Sequence, residues 1–103
     1  MERNMNIAFI NGDIEITDEG KAQVENRLRL ALSRFSSKIA RLTVELSATV
    51  NPDDKKCRIE LFLRPTRRLI AEDADPDLNA AVDRAAQQMA RSVERKLRRE
   101  REK

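Results

Sequence analysis

Hydrophobic and polar residues alternate in two neighbouring segments near the middle of the chain. In residues 42–50, hydrophobic residues occupy every even-numbered position and polar residues every odd-numbered one. Residues 57–63 show the same period, broken only by Phe62 at a polar position. A period of two predicts β-strands that are buried on one side, and Asn51-Pro52-Asp53-Asp54 between them predicts a turn. We therefore predict an antiparallel hairpin with one hydrophobic face.

A helical period of hydrophobic residues precedes and follows this hairpin. In the first helix, which we expect to begin after the N-cap Thr17 and to end near Ser36-Ser37, hydrophobic residues recur three or four positions apart. The second helix is predicted to have Asp75 as its cap and Pro76 at its first position, and to run to about Arg99. Its hydrophobic face consists of Leu78, Val82, Ala85, Met89 and Val93.

Two further strands complete the predicted order β-α-β-β-β-α. One is a short strand over residues 6–10, followed by a turn at Asn11-Gly12-Asp13, and the other is a short strand over residues 69–73. Each helix has one hydrophobic stripe, so we predict an α+β two-layer sandwich with both helices on one face of a four-stranded mixed sheet. The first two strands should be parallel neighbours. The order after the first strand is that of double-stranded RNA-binding domains, and residues 1–103 are expected to form one domain.

The composition argues against catalysis and against a metal or cofactor site. The chain has no histidine and only two glycines, and charged residues make up 38% of it against 3% aromatic residues. The single cysteine, Cys57, lies at an inward strand position and is expected to be a core residue. Asp73, Asp75 and Asp77 alternate, but helix capping explains their positions better than a metal site does. We expect no disulfide, signal peptide, membrane span or small-molecule substrate, and a cytoplasmic location.

Positive charge is concentrated at the C-terminal end. The net charge is +3, yet residues 84–103 alone contain eight lysines and arginines against three glutamates. One side of the second helix, away from its hydrophobic face, carries Arg84, Arg91, Arg95 and Arg98, with Arg99 flanking it. Planar guanidinium groups suit phosphate oxygens, so this arginine stripe predicts binding to a nucleic-acid backbone. The alternative is a solvated helix end whose charge suits the helix dipole.

Weaker basic candidates lie elsewhere in the chain. Arg27 and Arg34 flank the hydrophobic stripe of the first helix, and Arg64, Arg67 and Arg68 are predicted to form a basic turn. Lys38 and Arg41, and the pair Lys55-Lys56, complete this set. Each of these is also consistent with ordinary solvated charge. Phe62 lies on the polar face of the sheet. It could stack on an RNA base, or it could be an ordinary exposed residue or a contact to a partner.

Several short motifs resemble the ribosome hibernation-promoting factor and ribosome-associated inhibitor family, over residues 5 to about 100. The resemblance is carried by Met5-Asn6-Ile7, Gly12, Ile14-Glu15-Ile16-Thr17, Ala71-Glu72, Asp77-Leu78-Asn79-Ala80-Ala81-Val82-Asp83 and Arg95-Lys96-Leu97-Arg98-Arg99. The family has the fold β-α-β-β-β-α. Its members bind the small ribosomal subunit between head and body, overlap the messenger and transfer-RNA positions, and silence idle ribosomes in stress or stationary phase.

The resemblance implies the same partner and function for this chain. Its partners would be 16S-type ribosomal RNA and neighbouring ribosomal proteins, and it would be a monomer off the ribosome. The RNA would be contacted by Arg84, Arg91, Arg95 and Arg98, with Arg27 and Arg34 assisting. The chain differs from the family pattern at Asn79, where an aromatic residue is common, and at Asp13, where a basic residue is common. We expect it to be a short-form member, without the C-terminal dimerisation domain of long-form members.

Two other functions fit the sequence. The remaining 83 residues contain thirteen basic and fifteen acidic residues, which also suits a protein-interaction or regulatory module of the same fold. A general duplex-RNA-binding protein is the third candidate.

Overall fold

The elements of the chain follow the order β-α-β-β-β-α. The computed structural model describes residues 6–10 and 12–101. The strands and helices are β1 (Ile7–Ile10), α1 (Asp18–Leu32), β2 (Ile39–Ala48), β3 (Lys55–Leu63), β4 (Arg67–Asp75) and α2 (Leu78–Arg101). A 3₁₀ turn, Ser33–Phe35, follows α1.

The four strands form one mixed sheet in the order β1-β2-β3-β4. β1 is parallel to β2, and the other two pairs are antiparallel. Both helices pack on one face, which confirms the predicted two-layer α+β sandwich. The core between the layers includes Val24, Leu28, Leu32, Leu42, Val44, Ile59, Leu61, Leu63, Val82, Met89 and Val93. Burying each large aliphatic side chain of this kind stabilises the fold by about 1.5–3 kcal/mol.

The other face of the sheet, here called the open face, has no helix over it. Its side chains alternate with those of the core along β2, β3 and β4. They are Arg41, Thr43, Glu45, Arg58, Glu60, Phe62, Arg68, Ile70 and Glu72.

The strand β2 begins and ends earlier than predicted. It begins at Ile39, whose side chain is buried opposite Leu63, and a register irregularity follows between Ile39 and Arg41. It ends at Ala48, and Val50 is fully exposed. Thr49 and Asn51 hydrogen-bond to each other, so the turn begins before Val50 can pair.

The strand β4 is nine residues long and includes Arg67 and Arg68, which we predicted to lie in the turn. The predicted cap of the second helix is also wrong. The helix begins at Leu78, and its cap is Asp77, whose Oδ1 accepts a hydrogen bond from the N–H of Asn79 (3.0 Å). Asp75 instead accepts from the N–H of Asp77 (2.8 Å) in the turn before the helix.

The first helix begins as predicted, and its last turn is a 3₁₀ turn and not α-helix. The Oγ1 of Thr17 accepts a hydrogen bond from the N–H of Gly20 (3.0 Å), which confirms the N-cap. The α-helix ends at Leu32, and the following 3₁₀ turn places Phe35 in the core. Two ion pairs, Arg27–Asp83 and Arg34–Glu94, show that α1 and α2 run in the same direction.

The connection from β1 to α1 is held against the end of β2. A Cβ at Gly12 would lie 1.9 Å from the carbonyl oxygen of Leu46, so this close approach requires glycine. The carboxylate of Asp13 accepts a hydrogen bond from the N–H of Ala48 (2.7 Å). Asn11, the first residue of the predicted turn, lies outside the described residues. Within residues 6–10 and 12–101, neither helix is long and hydrophobic enough to span a membrane.

Candidate nucleic-acid interface

Basic side chains from four separate segments meet at one end of the molecule. α2 runs back along β4, so its last turns lie beside the start of that strand, where Leu69, Arg95 and Arg99 line one groove. The main-chain N–H of Arg64 donates to the carbonyl of Lys38 (2.8 Å), which joins the β3–β4 turn to the segment after α1. We call this region the basic end. It comprises Arg34, Lys38, Arg41, Arg64, Arg67, Arg68, Arg95, Lys96, Arg98 and Arg99.

The predicted arginine stripe on α2 faces solvent along its whole length. Arg84, Arg91, Arg95, Arg98 and Arg99 are all exposed. Arg91, Arg95 and Arg99 form no ion pair with any carboxylate in the described part of the chain. These three guanidinium groups therefore keep most of their donors for an external partner.

Arg84 differs from the rest of the stripe, because two carboxylates at the end of β4 bind its guanidinium. Its Nη2 lies 2.8 Å from Oδ2 of Asp75 and 3.2 Å from Oδ1 of Asp73, and it also donates to the carbonyl of Ala74. Hydrogen bonds from Arg84 and from the N–H of Asp77 lower the pKa of Asp75, and the same carboxylates raise the pKa of Arg84. These contacts account for the position of Arg84 without RNA, and its contact with RNA stays a prediction.

One glutamate of α2 binds two of the other predicted RNA-binding residues. Glu94 accepts from Arg34 of the 3₁₀ turn after α1 (2.9 Å) and from Arg98 one turn further along α2 (3.2 Å). Arg27 donates to Asp83 at 2.6 Å, and both of these side chains are partly exposed. The predicted basic residues of α1 therefore join the two helices.

A groove lies between the last turns of α2 and the edge strand β4. It has a volume of about 300 Å³ and is lined by Leu69, Ser92, Arg95, Lys96 and Arg99. Three cationic side chains around a groove of this size can surround one phosphate group. The groove adds Lys96 to the residues predicted from the sequence.

The predicted basic turn contributes two exposed arginines without ion pairs in the described chain, Arg64 and Arg67. Arg68 instead forms an ion pair with Glu60 on the open face. Next to it, Arg41 lies over the ring of Phe62, with 4.7 Å between the guanidinium carbon and the ring centroid.

Acidic residues gather at the opposite end of the molecule, where α2 begins. Lys55 is opposite Asp75 in the sheet, and Asp73, Asp77 and the β2–β3 turn lie nearby. Lys55 donates to the carbonyl of Pro76 (3.3 Å). Asp13, where the family often has a basic residue, belongs to this acidic end because it bonds to Ala48.

The residues that suggested other chemistry are accounted for by the fold. Cys57 is buried, and burial together with the charge of Asp73 raises its thiol pKa to about 12. Asp73 itself accepts from Arg84 and from Gln88 (2.9 Å). Among the residues described, no three or more Cys, Asp or Glu side chains are grouped to hold a metal ion.

The sequence did not show that the basic segments form one surface. The sequence predicted Lys38 and Arg41 only as basic residues after the first helix, whereas the register places Arg41 opposite Phe62, which is itself opposite Arg68. This juxtaposition of Arg41, Phe62 and Arg68 arises because β2 begins as early as Ile39 and β4 as early as Arg67. Lys96 lies off the stripe, so periodicity alone gave no sign of it.

Comparisons with known proteins bear on the family and the fold of the chain. The sequence model of a family described as sigma 54 modulation protein / S30EA ribosomal protein matches residues 7–103. The N-terminal domain of Protein Y from Thermus thermophilus is similar in structure, with a TM-score of 0.70 and 28% sequence identity over 90% of this chain and 98% of that one. A ribosomal subunit interface protein from Coxiella burnetii has the same fold, with a TM-score of 0.69 and 14% identity over 88% and 93% of the two chains. A search of curated protein sequences gave no match.

Proposed function

Because the chain belongs to the sigma 54 modulation protein / S30EA ribosomal protein family, we propose that it binds the small ribosomal subunit and inhibits translation. The family match covers residues 7–103 and agrees with the resemblance to hibernation-promoting factors. In this proposal the protein is a cytoplasmic, non-catalytic monomer that stabilises inactive ribosomes in stress or stationary phase.

The basic end is the observation that supports RNA as the main contact. Arg91, Arg95 and Arg99 are exposed and have no carboxylate partner in the described chain, and Lys96 adds a fourth cation at the same groove. Arg64 and Arg67 extend this surface across the β3–β4 turn. Phosphate contacts of this kind release counterions, so binding should weaken steeply as salt is added.

The proposed site on the subunit is the channel that holds messenger and transfer RNA. RNA surrounds such a channel on several sides, and the basic end likewise presents cations from α2, from the β3–β4 turn and from the start of β2. A protein lodged there would compete with messenger and transfer RNA for the same phosphates, and this competition would inhibit translation.

Co-sedimentation tests the proposal directly. We expect the purified protein to co-sediment with small subunits at low salt, to be released as salt rises, and to depress translation in vitro. Subunits that already hold messenger and transfer RNA should bind the protein less, because the proposed site is occupied. Absence of co-sedimentation at low salt contradicts the proposal, and equal affinity for arbitrary RNA duplexes and for subunits indicates a general duplex-RNA-binding protein.

A protein-interaction module is the second candidate, and the paired arginines favour it. Arg27, Arg34 and Arg84 are all bound by carboxylates of the same chain, which leaves fewer cations for RNA. Capture of one protein partner that persists after ribonuclease treatment would support this function.

A further inference from the structure

The open face of the sheet carries one row of side chains that neither the core nor the arginine stripe uses. Phe62 on β3 lies directly opposite Arg41 on β2 and, on its other side, directly opposite Arg68 on β4. Directly opposed residues on one face of a sheet lie within about 5.5 Å of each other. Phe62 is half-buried, whereas Arg41 and Arg68 are exposed.

The guanidinium of Arg41 lies over the ring of Phe62. The guanidinium carbon lies 4.7 Å from the ring centroid, the distance of a stacked cation and π system. Arg34 likewise lies over the ring of Phe35, at 4.6 Å, but that ring is buried in the core and Glu94 binds the guanidinium. Phe9 packs against the core. Since no helix covers this face, the outer side of the stacked guanidinium is open to a planar group.

Charge around the row favours a nucleotide as that planar group. Lys38 and Arg64 are exposed at the same end of the sheet, and they form no ion pair with described residues. Ile70, 45% exposed, is diagonal to Phe62 and extends the hydrophobic surface. The other half of the face carries Glu45 and Glu72 on either side of Arg58, which restricts an anion to the Arg41 end.

We propose that the Arg41–Phe62 pair binds one unpaired RNA base, which stacks on it while Lys38 and Arg64 contact the adjacent phosphates, because Glu60 already binds Arg68. The proposal rests on the proposed RNA-binding function and assigns to it a second surface, on the opposite face of the sheet from the helices. Arginine planes and aromatic rings bind splayed-out bases in this way, without strong sequence preference.

The test compares a short oligoadenylate with an abasic oligomer of the same length and charge. We expect the protein to bind the oligoadenylate more tightly. Phe62→Leu, which keeps a hydrophobic side chain, and Arg41→Lys, which keeps the charge, should each reduce oligoadenylate affinity by about tenfold, in the range measured for one stacked base. Both should leave abasic binding unchanged, and Val50→Leu, at a fully exposed position beyond the far end of β2, is the matched control.

A spectroscopic variant reports stacking itself. The chain has no Trp and no Tyr, so Phe62→Trp introduces a single strong fluorophore. Oligoadenylate should quench its emission and the abasic oligomer should not. Equal binding of the two oligomers by the unmodified protein, no binding of either, or unchanged oligoadenylate affinity in Phe62→Leu would each overturn the proposal.

Experiments with small ribosomal subunits distinguish a failure of this inference from a failure of the proposed function. A photo-crosslinking side chain at position 62 should form crosslinks to RNA, and crosslinks to ribosomal protein alone would show that a protein covers the row. If the unmodified protein co-sediments with subunits but does not distinguish the two oligomers, the base-stacking site is wrong and the proposed function stands. If it distinguishes the oligomers without co-sedimenting, the ribosomal function is the part that fails.

Discussion

Arg34 and Glu94, sixty residues apart in sequence, form a 2.9 Å ion pair that joins the end of α1 to α2. Glu94 accepts from Arg98 as well. A single carboxylate therefore neutralises two of the arginines that the sequence predicted to contact RNA. In the proposed function, the affinity of the basic end for RNA should therefore depend on this glutamate as well as on the arginines.

Replacing Glu94 with glutamine should strengthen RNA binding. The change frees Arg34 and Arg98 to bind phosphate. Because about one to two more counterions are then released, the affinity for RNA should fall more steeply as salt is added. Loss of a partly exposed ion pair should lower the free energy of unfolding by only about 0.2–1 kcal/mol. Fluorescence anisotropy with labelled ribosomal RNA fragments over a salt series measures both the affinity and the slope.

Glu100→Gln is the matched control for this variant. Glu100 is exposed on α2 and forms no ion pair with the described residues. The two substitutions change the net charge equally. If both increase affinity to the same extent, the effect is one of overall charge and the ion pairs of Glu94 do not restrain binding.

Reversing the charge of Arg91 and Arg95 together should abolish binding to the small subunit. Both side chains are exposed and without ion pairs in the described chain, so the fold should be retained. Losing two phosphate contacts and adding two repulsive charges should lower affinity by a factor of 10² or more at moderate salt. Co-sedimentation and circular dichroism measure binding and folding separately.

The control for the double variant is Lys21→Glu with Lys56→Glu. It changes the net charge by the same amount at residues away from the basic end. The assigned surface is wrong if the Arg91/Arg95 variant binds normally, or if the Lys21/Lys56 variant loses binding to the same degree.

Arg84→Gln should destabilise the fold more than Arg91→Gln, because Arg84 binds Asp73 and Asp75 whereas Arg91 forms no ion pair with the described residues. The pKa of Asp75 is below its ordinary 3.8, so the stability from this contact is present above that pH and is lost as the pH falls. The unfolding temperature should therefore fall less between neutral and acidic pH in Arg84→Gln than in the unmodified protein. Similar unfolding curves for the two variants would mean that the contact contributes nothing.

Cys57 should be unreactive in the native protein. Burial and the charge of Asp73 raise its thiol pKa to about 12, so almost no thiolate exists near neutral pH. Since the pKa is raised from 9.0, the linked stability is complete below that pH and is lost as the pH rises towards 12. Thiol-reagent kinetics in buffer and in denaturant check the reactivity, and denaturant titrations at alkaline pH check the stability.

A cysteine at the exposed position Ser33 is the comparison for Cys57. In a Ser33→Cys variant the new thiol should react rapidly in buffer, while Cys57 reacts only after unfolding. Rapid reaction of Cys57 in the unmodified native protein would show that the core opens easily.

The sequence predicted the fold where one periodic signal dominated. Alternation from Leu42 onwards and the helical spacing through Met89 reflect burial on a single face, which is a local property of the chain. Val50 continued the alternation, yet the hydrogen bonds between Thr49 and Asn51 end the strand before it. Asp75 and Asp77 are both good caps, and only the geometry of the turn decides between them.

The candidate site was less predictable, since it depends on contacts between distant segments. The exposure of Arg91 and Arg95 followed from the helical period. The carboxylates that bind Arg27 and Arg34 come from another helix, and nothing in the local sequence of α1 indicates them. The meeting of Lys38 with Arg64 likewise requires the assembled sheet.

The arginines near the end of α2 and the aspartates before its start lie at opposite ends of the molecule, so the protein has an electric dipole moment. In the field of a polyanion such a molecule experiences a torque, which turns the arginine-rich pole forward before any atoms touch. A greater share of collisions then begins in a productive orientation, and this advantage disappears when ions shorten the reach of the field. The acidic pole thereby affects the speed of capture without making a contact itself.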